Sequence, residues 1–414
     1  MPPPAGLAPI IRVFGHRNYA LYMGGMIPNL VTIWMQRLGV GWLAWELTHS
    51  TTWLGVIAAA DLLPMLFLGP IAGAITDRHV PLTLQKITQM LACVHAFGLA
   101  AFTLAGWMDI WLLLFFALFH GVTHTLASTA RHAIVPATVP REELATAIAV
   151  DSALFNGSRF AGPALAGLTI PFAGVGGTFV ANTIGCVTFL ASLFLMDLAP
   201  PVRERRGRRS VFHDVGDSLR YVRDHAGIGP LLLLLTVVSI LFRPVQDMLP
   251  GFAGAVFNSD AVGLAWLTSA MGIGAMLSAV WIALRSRVSG LTMAVSAAFL
   301  ALNLVTLGLV ATPVLWVAVI FALGSGFALN TMSTGGQALV QYAVEDAYRG
   351  RVMGLYTLIY RGTPAIGALG LGAIAEFAGL RWTFAAAALI GLAIWVPTLP
   401  RRHAMRAGLE HEHP

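Results

Sequence analysis

The chain has 414 residues, of which 57% are hydrophobic and 11% charged, with a formal net charge of +6. Soluble domains carry roughly a quarter charged residues, so this composition excludes an ordinary water-soluble globule and makes lipid the solvent for the excess apolar surface. The basic residues lie in short segments between apolar runs, which argues against nucleic acid as a partner, and two cysteines, Cys93 and Cys186, both inside such runs, are too few for a disulfide framework or a zinc site.

Residues 1–18, MPPPAGLAPIIRVFGHRN, have no apolar stretch ending in a small-residue cleavage site and read as an N-terminal segment, not a signal peptide. A spanning helix needs roughly 20 mostly apolar residues. Twelve runs qualify in chain order: 19–45, 52–76, 84–105, 110–133, 145–170, 175–196, 228–256, 262–284, 289–310, 314–340, 351–374 and 380–399. The longest polar interruption falls between the sixth and seventh and contains RERRGRRS. Within it, Phe212–His225 has helical spacing at Val215, Leu219 and Val222, as in a short amphipathic helix on a membrane surface. The expected architecture is an all-α membrane protein: segment 1–18, a six-helix bundle 19–196, a linker 197–227, a second six-helix bundle 228–399 and a tail 400–414.

Orientation follows from the basic residues, which concentrate in cytoplasmic loops. With these spans one side receives 20 of the 25 Lys and Arg and the opposite side receives Arg381, while Arg37, Arg159, Arg243 and Arg361 fall inside spans. Both termini are therefore expected in the cytoplasm, in a multi-pass protein of the bacterial inner membrane. The halves also repeat. Gly157, Gly162 and Gly167 match Gly362, Gly367 and Gly372 at an offset of 205, and Leu54-Gly55 matches Val262-Gly263 at 208. Parallel six-helix repeats with a site between them are a transporter architecture.

The run Gly69-Pro70-Ile71-Ala72-Gly73-Ala74-Ile75-Thr76-Asp77-Arg78 resembles the loop 2–3 signature of the major facilitator superfamily. Arg159-Phe160-Ala161-Gly162-Pro163-Ala164-Leu165-Ala166-Gly167 is similar to the motif its exporters carry in the fifth span. Arg17-Asn18-Tyr19, Met35-Gln36 and Arg349-Gly350-Arg351-Val352 resemble the macrolide-efflux and enterobactin-exporter-like branch. Two departures stand out. His79-Val80-Pro81-Leu82 replaces the basic run after Asp-Arg, and no arginine occupies the region near Phe116 in the fourth span, where many drug antiporters have one. The resemblance implies the major facilitator fold, with two pseudo-symmetric bundles rocking about a central cavity, and coupling to an ion gradient, usually of protons.

Uncompensated charge at mid-bilayer costs roughly 2.5–3.5 kcal/mol per residue, so polar side chains inside spans are the candidate functional residues. In the superfamily that the chain resembles, spans 1, 4, 7 and 10 line the cavity, and a 3-to-4 residue spacing tests for a shared face. Span 1 presents Asn29, Thr32 and Gln36; span 4, His120 and His124 with Ser128 and Arg131; span 7, Arg243, Gln246 and Asp247; span 10, Asn330 and Gln337 with Thr334 and Gln341. The alternative for each is interhelical hydrogen bonding that ties helices together. Trp34, Met35 and Met248 nearby suit an adaptable, largely apolar ligand.

Arg37, Asp61 and Arg159 are the ion-coupling candidates. Arg37 and Asp61 fall at one depth, roughly 12–14 Å below the outer surface, on neighbouring antiparallel spans, and are expected to pair. Arg159 is expected to face the interior of the first bundle. Asp77, Arg78, Arg349 and Arg351 form an expected cytoplasmic gate, with Asp77 approaching the N-terminus of span 11. The function expected is export of amphipathic organic molecules, drug-like compounds or siderophores, by a monomer whose partners are a small-molecule substrate, protons and the bilayer, with no cofactor. Import of a small metabolite and lipid transport are alternatives. A membrane metalloenzyme using the His120-x-x-x-His124 pair is a further one, set against the absence of the additional histidine boxes such enzymes need. No glycine loop with a lysine is present to cradle ATP.

Overall fold

In the computed structural model, residues 8–198, 220–223, 225–285, 287–400 and 402–410 are described; of these the side chains of Ala8, Pro70, Ala74, Asp77, Arg78, His132, Ala133, Asp346 and Ala347 are not. Most of the expected amphipathic helix Phe212–His225 and of the 197–227 linker lies outside the described residues.

Among the described residues the chain is helical and has no strand. A short α1 (Ala8–Phe14) precedes the long helices α2 (Arg17–Thr48), α3 (Thr51–Arg78), α4 (Pro81–Leu104), α5 (Ile110–Thr138) and α6 (Leu144–Leu195). Then come α7 (Ile228–Val237), α8 (Val245–Gly251), α9 (Ala261–Arg285), α10 (Leu291–Ala311), α11 (Leu315–Asn330) and α12 (Gly336–Ala343). The chain closes with α13 (Asp346–Thr357), α14 (Thr363–Ala378), α15 (Leu380–Trp395) and α16 (Arg402–Glu410).

Ten stretches of the described residues are long and apolar enough to cross a membrane. One of them, Arg141–Leu195, is 55 residues long and contains a break at Gly174, whose φ of 63° and ψ of −175° no helix allows. That break coincides with the boundary read between 170 and 175. The helix α2, which carries Asn29, Gln36, Arg37 and Glu46 along 32 residues, is not among the ten. Helix starts follow local chemistry: Asp109 Oδ1 accepts the Leu112 N–H at 2.7 Å, and Asp260 accepts from Val262 at 3.0 Å and Gly263 at 3.2 Å.

The chain divides into two compact units, residues 1–48 with 63–204, and 49–62 with 205–414. In the first unit α2 lies along α6, and small residues let the two approach. A Cβ on Gly39 would meet Thr178, one on Gly185 would meet Thr32, and one on Gly162 would meet Trp34 and the Val31 carbonyl. At the end of this unit where α1 meets α2, His16 Nε2 lies 2.9 Å from the Glu143 carboxylate.

The second unit repeats one of these crossings. Gly367, the repeat partner of Gly162, meets the Ile240 carbonyl and Pro244 of the seventh span, just as Gly162 meets the first. The start of α3, read from the sequence as part of 19–196, packs with the second unit. Gly55 sits against the Ala368 carbonyl of α14. The Glu376 carboxylate accepts from Ser50 Oγ at 2.8 Å, Thr51 Oγ1 at 3.1 Å and the Thr52 N–H at 3.1 Å, capping α3 from outside its own sequence.

The stretch read as a tail contains α16. It buries Met405 and Leu409, the latter against Gly227, and the Glu410 carboxylate accepts the N–H groups of Gly290 at 2.7 Å and Thr292 at 2.9 Å at the start of α10. Burial alone would raise the Glu410 carboxyl. The donors from Gly290, Thr292 and Arg406 outweigh it and hold the group below its ordinary value.

Candidate functional site

The span-1 residues expected in a cavity lie on α2 of the first unit. Asn29 and Gln36 are buried, and Gln36 Oε1 accepts from Asn182 Nδ2 of α6 at 2.7 Å. Thr32 is half-buried and donates back to the Pro28 carbonyl at 2.9 Å. These contacts serve the α2–α6 seam. Asn182 carried no signal in sequence beyond being polar within a span.

The span-4 histidines belong to a longer stack. His120 and His124 are one turn apart on α5, with ring centroids 5.6 Å apart, and His95 of α4 lies 5.3 Å from His120. His95 is buried, and its Nε2 meets the Phe116 carbonyl at 3.1 Å. No group of three or more His, Cys, Asp or Glu among the described residues is placed to hold a metal ion. Further along α5, Arg131 pairs with Asp151 of α6 at 2.7 Å and lies over the Phe155 ring.

Two of the in-span arginines converge on one indole. Arg37 Cζ lies 5.6 Å and Arg159 Cζ 5.4 Å from the Trp34 ring centroid. Arg159 on α6 is thus set against α2. Asp61 is half-buried on α3 and belongs to the second unit, whereas Arg37 belongs to the first. The gate residues Asp77 and Arg78 lie outside the described side chains; Arg349 is exposed, and Arg351 Cζ is 5.9 Å from the Tyr348 ring.

The second unit holds the other two in-span arginines, and here the helices change pitch. All four π-helical segments among the described residues lie in this unit: Val238–Phe242, Phe252–Val256, Thr331–Gly335 and Leu358–Gly362. They interrupt spans 7, 10 and 11. A π turn inserts one residue into the helical ladder, re-aims the side chains after it, and is frequent at functional sites. Arg243 follows the first of these turns, its N–H bonded to the Val238 carbonyl at 3.0 Å, and Arg361 lies within the last. The two turns pack on each other.

Arg243 Cζ stands 4.7 Å from the Tyr360 ring centroid, and Tyr360 stacks on Tyr356 at 5.8 Å. Tyr356 in turn donates its hydroxyl to the Ser333 carbonyl at 2.8 Å, inside the π turn of span 10. Arg361 follows Tyr360 directly in the chain, on the π turn that packs against the one preceding Arg243. Gln246 and Asp247 are half-buried just beyond. On span 10, Asn330 is buried and donates to Ser278 at 3.3 Å, while Gln337 is exposed. Arg243 was legible as a candidate. Tyr356, Tyr360 and Arg361 were not singled out, although an arginine inside an apolar span with tyrosines one and five residues before it was the available signal. The repeat gave a second one: Arg37 and Arg243 are 206 positions apart, close to the offset of the glycines.

The family model described as transmembrane secretion effector matches residues 6–407. The chain is 23% identical over 382 residues to the staphyloferrin A transporter of Staphylococcus aureus, covering 90% of this chain and 91% of that one. It is 21% identical over 346 residues to macrolide efflux protein A of Streptococcus pyogenes, covering 81% and 84%. Among solved structures, a bacterial homologue of the iron transporter ferroportin in an inward-facing state superposes with a TM-score of 0.69 at 14% identity, over 92% of this chain and 98% of that one.

Proposed function

Because the chain belongs to the transmembrane secretion effector family of the major facilitator superfamily, we propose that it is an ion-gradient-coupled exporter of amphipathic organic molecules. It is a transporter, not an enzyme. The observation that carries the finer reading is the interruption of spans 7, 10 and 11 by π turns that gather arginine and tyrosine side chains. Broken helices at mid-membrane are where secondary transporters build their sites. Relatives matched over most of their length are named for macrolide efflux and for staphyloferrin A transport, which supports drug-like compounds or siderophores as the substrate class.

In this proposal α2 is a span and Arg141–Leu195 is two, which gives twelve spans in two bundles, 19–196 and 228–399, with both termini in the cytoplasm of a bacterial inner-membrane monomer. The two bundles rock in alternating access. Arg243, Gln246 and Asp247 serve the substrate cavity. Protons are the coupling ion, with Arg37, Asp61 and Arg159 as the coupling candidates. Asp77 and Arg78, with Arg349 and Arg351, form the cytoplasmic gate.

The test of direction is a panel of fluorescent amphipathic compounds in inverted and right-side-out vesicles containing the protein. Accumulation in inverted vesicles alone supports export. Accumulation in right-side-out vesicles alone means an importer.

A further inference from the structure

We infer that Arg243 and Arg361 form an oxyanion subsite, so that the transported molecule carries a carboxylate or phosphate-type group. This deepens the proposed export function and rests on it for the substrate's being transported at all.

Residues 261–344 contain no Asp or Glu, and neither do residues 347–375. Within the spans of this unit the carboxylates are Asp61, Asp247 and Glu376. All three are engaged: Glu376 by Ser50, Thr51 and the Thr52 N–H, and Asp61 and Asp247 by partners of their own. Against them stand Arg243, just after one π turn and over the Tyr360 ring, and Arg361, within the π turn that packs on it. Bringing two cations together inside a bilayer is costly without a counter-charge. A protein that needed only packing there would use two apolar side chains.

The surroundings are shaped for an anion with an organic body. Tyr360 holds the Arg243 guanidinium by its face, which leaves the N–H edge of that planar fork available to an oxyanion. Tyr356 is fixed by its bond to the Ser333 carbonyl, and its ring stacks on Tyr360 at an interplanar angle of 8°, giving a flat apolar wall beside the charges. An arginine fork beside that wall, with a second arginine on the neighbouring turn, suits a carboxylate or phosphate better than a neutral or cationic group.

The source of the anion, a soluble substrate or a lipid headgroup, is separated by the assay. Full-length protein is placed in phosphatidylcholine nanodiscs, and binding of dansylglycine and of its methyl ester, which differ by one charge, is measured by fluorescence. Thermal unfolding is followed in the same discs with and without phosphatidylglycerol. The acid is expected to bind at least about 10-fold more tightly than the ester, equivalent to ~1.4 kcal/mol. Arg243→Gln and Arg361→Gln should each remove the preference, while Arg243→Lys and Arg361→Lys, which keep the charge, should fold and retain part of it. If phosphatidylglycerol stabilises the wild type but not Arg361→Gln, and dansylglycine has no effect, the anion is a lipid headgroup and the subsite stands. Equal binding of acid and ester without stabilisation by phosphatidylglycerol, or an acid preference that survives both Gln variants, overturns it. Export of neutral or cationic compounds in the vesicle panel would persist in those cases, so the two failures are distinguishable.

Discussion

Replacing Gln36 by leucine removes the Oε1 atom that accepts the Asn182 Nδ2 proton at 2.7 Å. The two residues are 4% and 3% exposed, so water does not reach the vacated amide. A buried donor left unsatisfied costs about 1–3 kcal/mol, and Asn182→Leu should cost a similar amount from the other side. Interhelical hydrogen bonds in membrane bundles have a net worth of about 0.6 kcal/mol on average and at most about 1.7 kcal/mol. The double variant Gln36→Leu/Asn182→Leu should therefore be more stable than the sum of the single losses implies, by about 0.6–1.7 kcal/mol. The four proteins of this cycle can be compared by reversible unfolding in mixed micelles, with vesicle transport measured alongside. A coupling within about 0.3 kcal/mol of zero would refute the packing role. A double variant that is coupled and folded but inactive would return Gln36 to the cavity.

Glu410→Gln should lower stability at neutral pH by about 1.5–3 kcal/mol, the worth of a hydrogen bond to a charged group. The folded carboxyl lies below its ordinary value of 4.5, so the ionised form is favoured on folding. Its contribution is complete above that value and is lost as pH falls through the lower, folded one. The gap in melting temperature between wild type and Glu410→Gln should thus narrow as pH drops below 4.5; a gap independent of pH would contradict the cap. A third comparison uses glycines. A Cβ on Gly326 would run into the Met271 carbonyl, whereas one on Gly24 meets nothing within 4 Å. Gly326→Ala should destabilise by about 1–3 kcal/mol, and Gly24→Ala should be neutral or stabilising by up to about 1 kcal/mol. Equal effects in thermal unfolding would contradict the close α9–α11 crossing.

Periodicity and composition made the helices legible, down to the break at Gly174 and the repeated crossing of Gly162 and Gly367, because length and glycine pattern are local properties of the chain. On span 1 the spacing set Asn29, Thr32 and Gln36 on one polar face. Its neighbour was not legible: a 3.6-residue spacing identifies the face that carries Gln36 but not whether that face meets Asn182 or a cavity. The π turns escaped for a related reason. They depend on which carbonyl each N–H finds after tertiary packing, and no residue type encodes them, so Arg361 read only as a charge inside a span. The cap of α10 by Glu410 joins residues about 120 positions apart, beyond any local signal.

Gradient-coupled transport is tested most directly by purified protein in proteoliposomes carrying an imposed pH gradient, with accumulation of an amphipathic compound followed before and after a protonophore. The account predicts concentration of the compound against its own gradient, collapsing when the pH gradient is dissipated. Accumulation that stops at equilibrium with or without the pH gradient would contradict it.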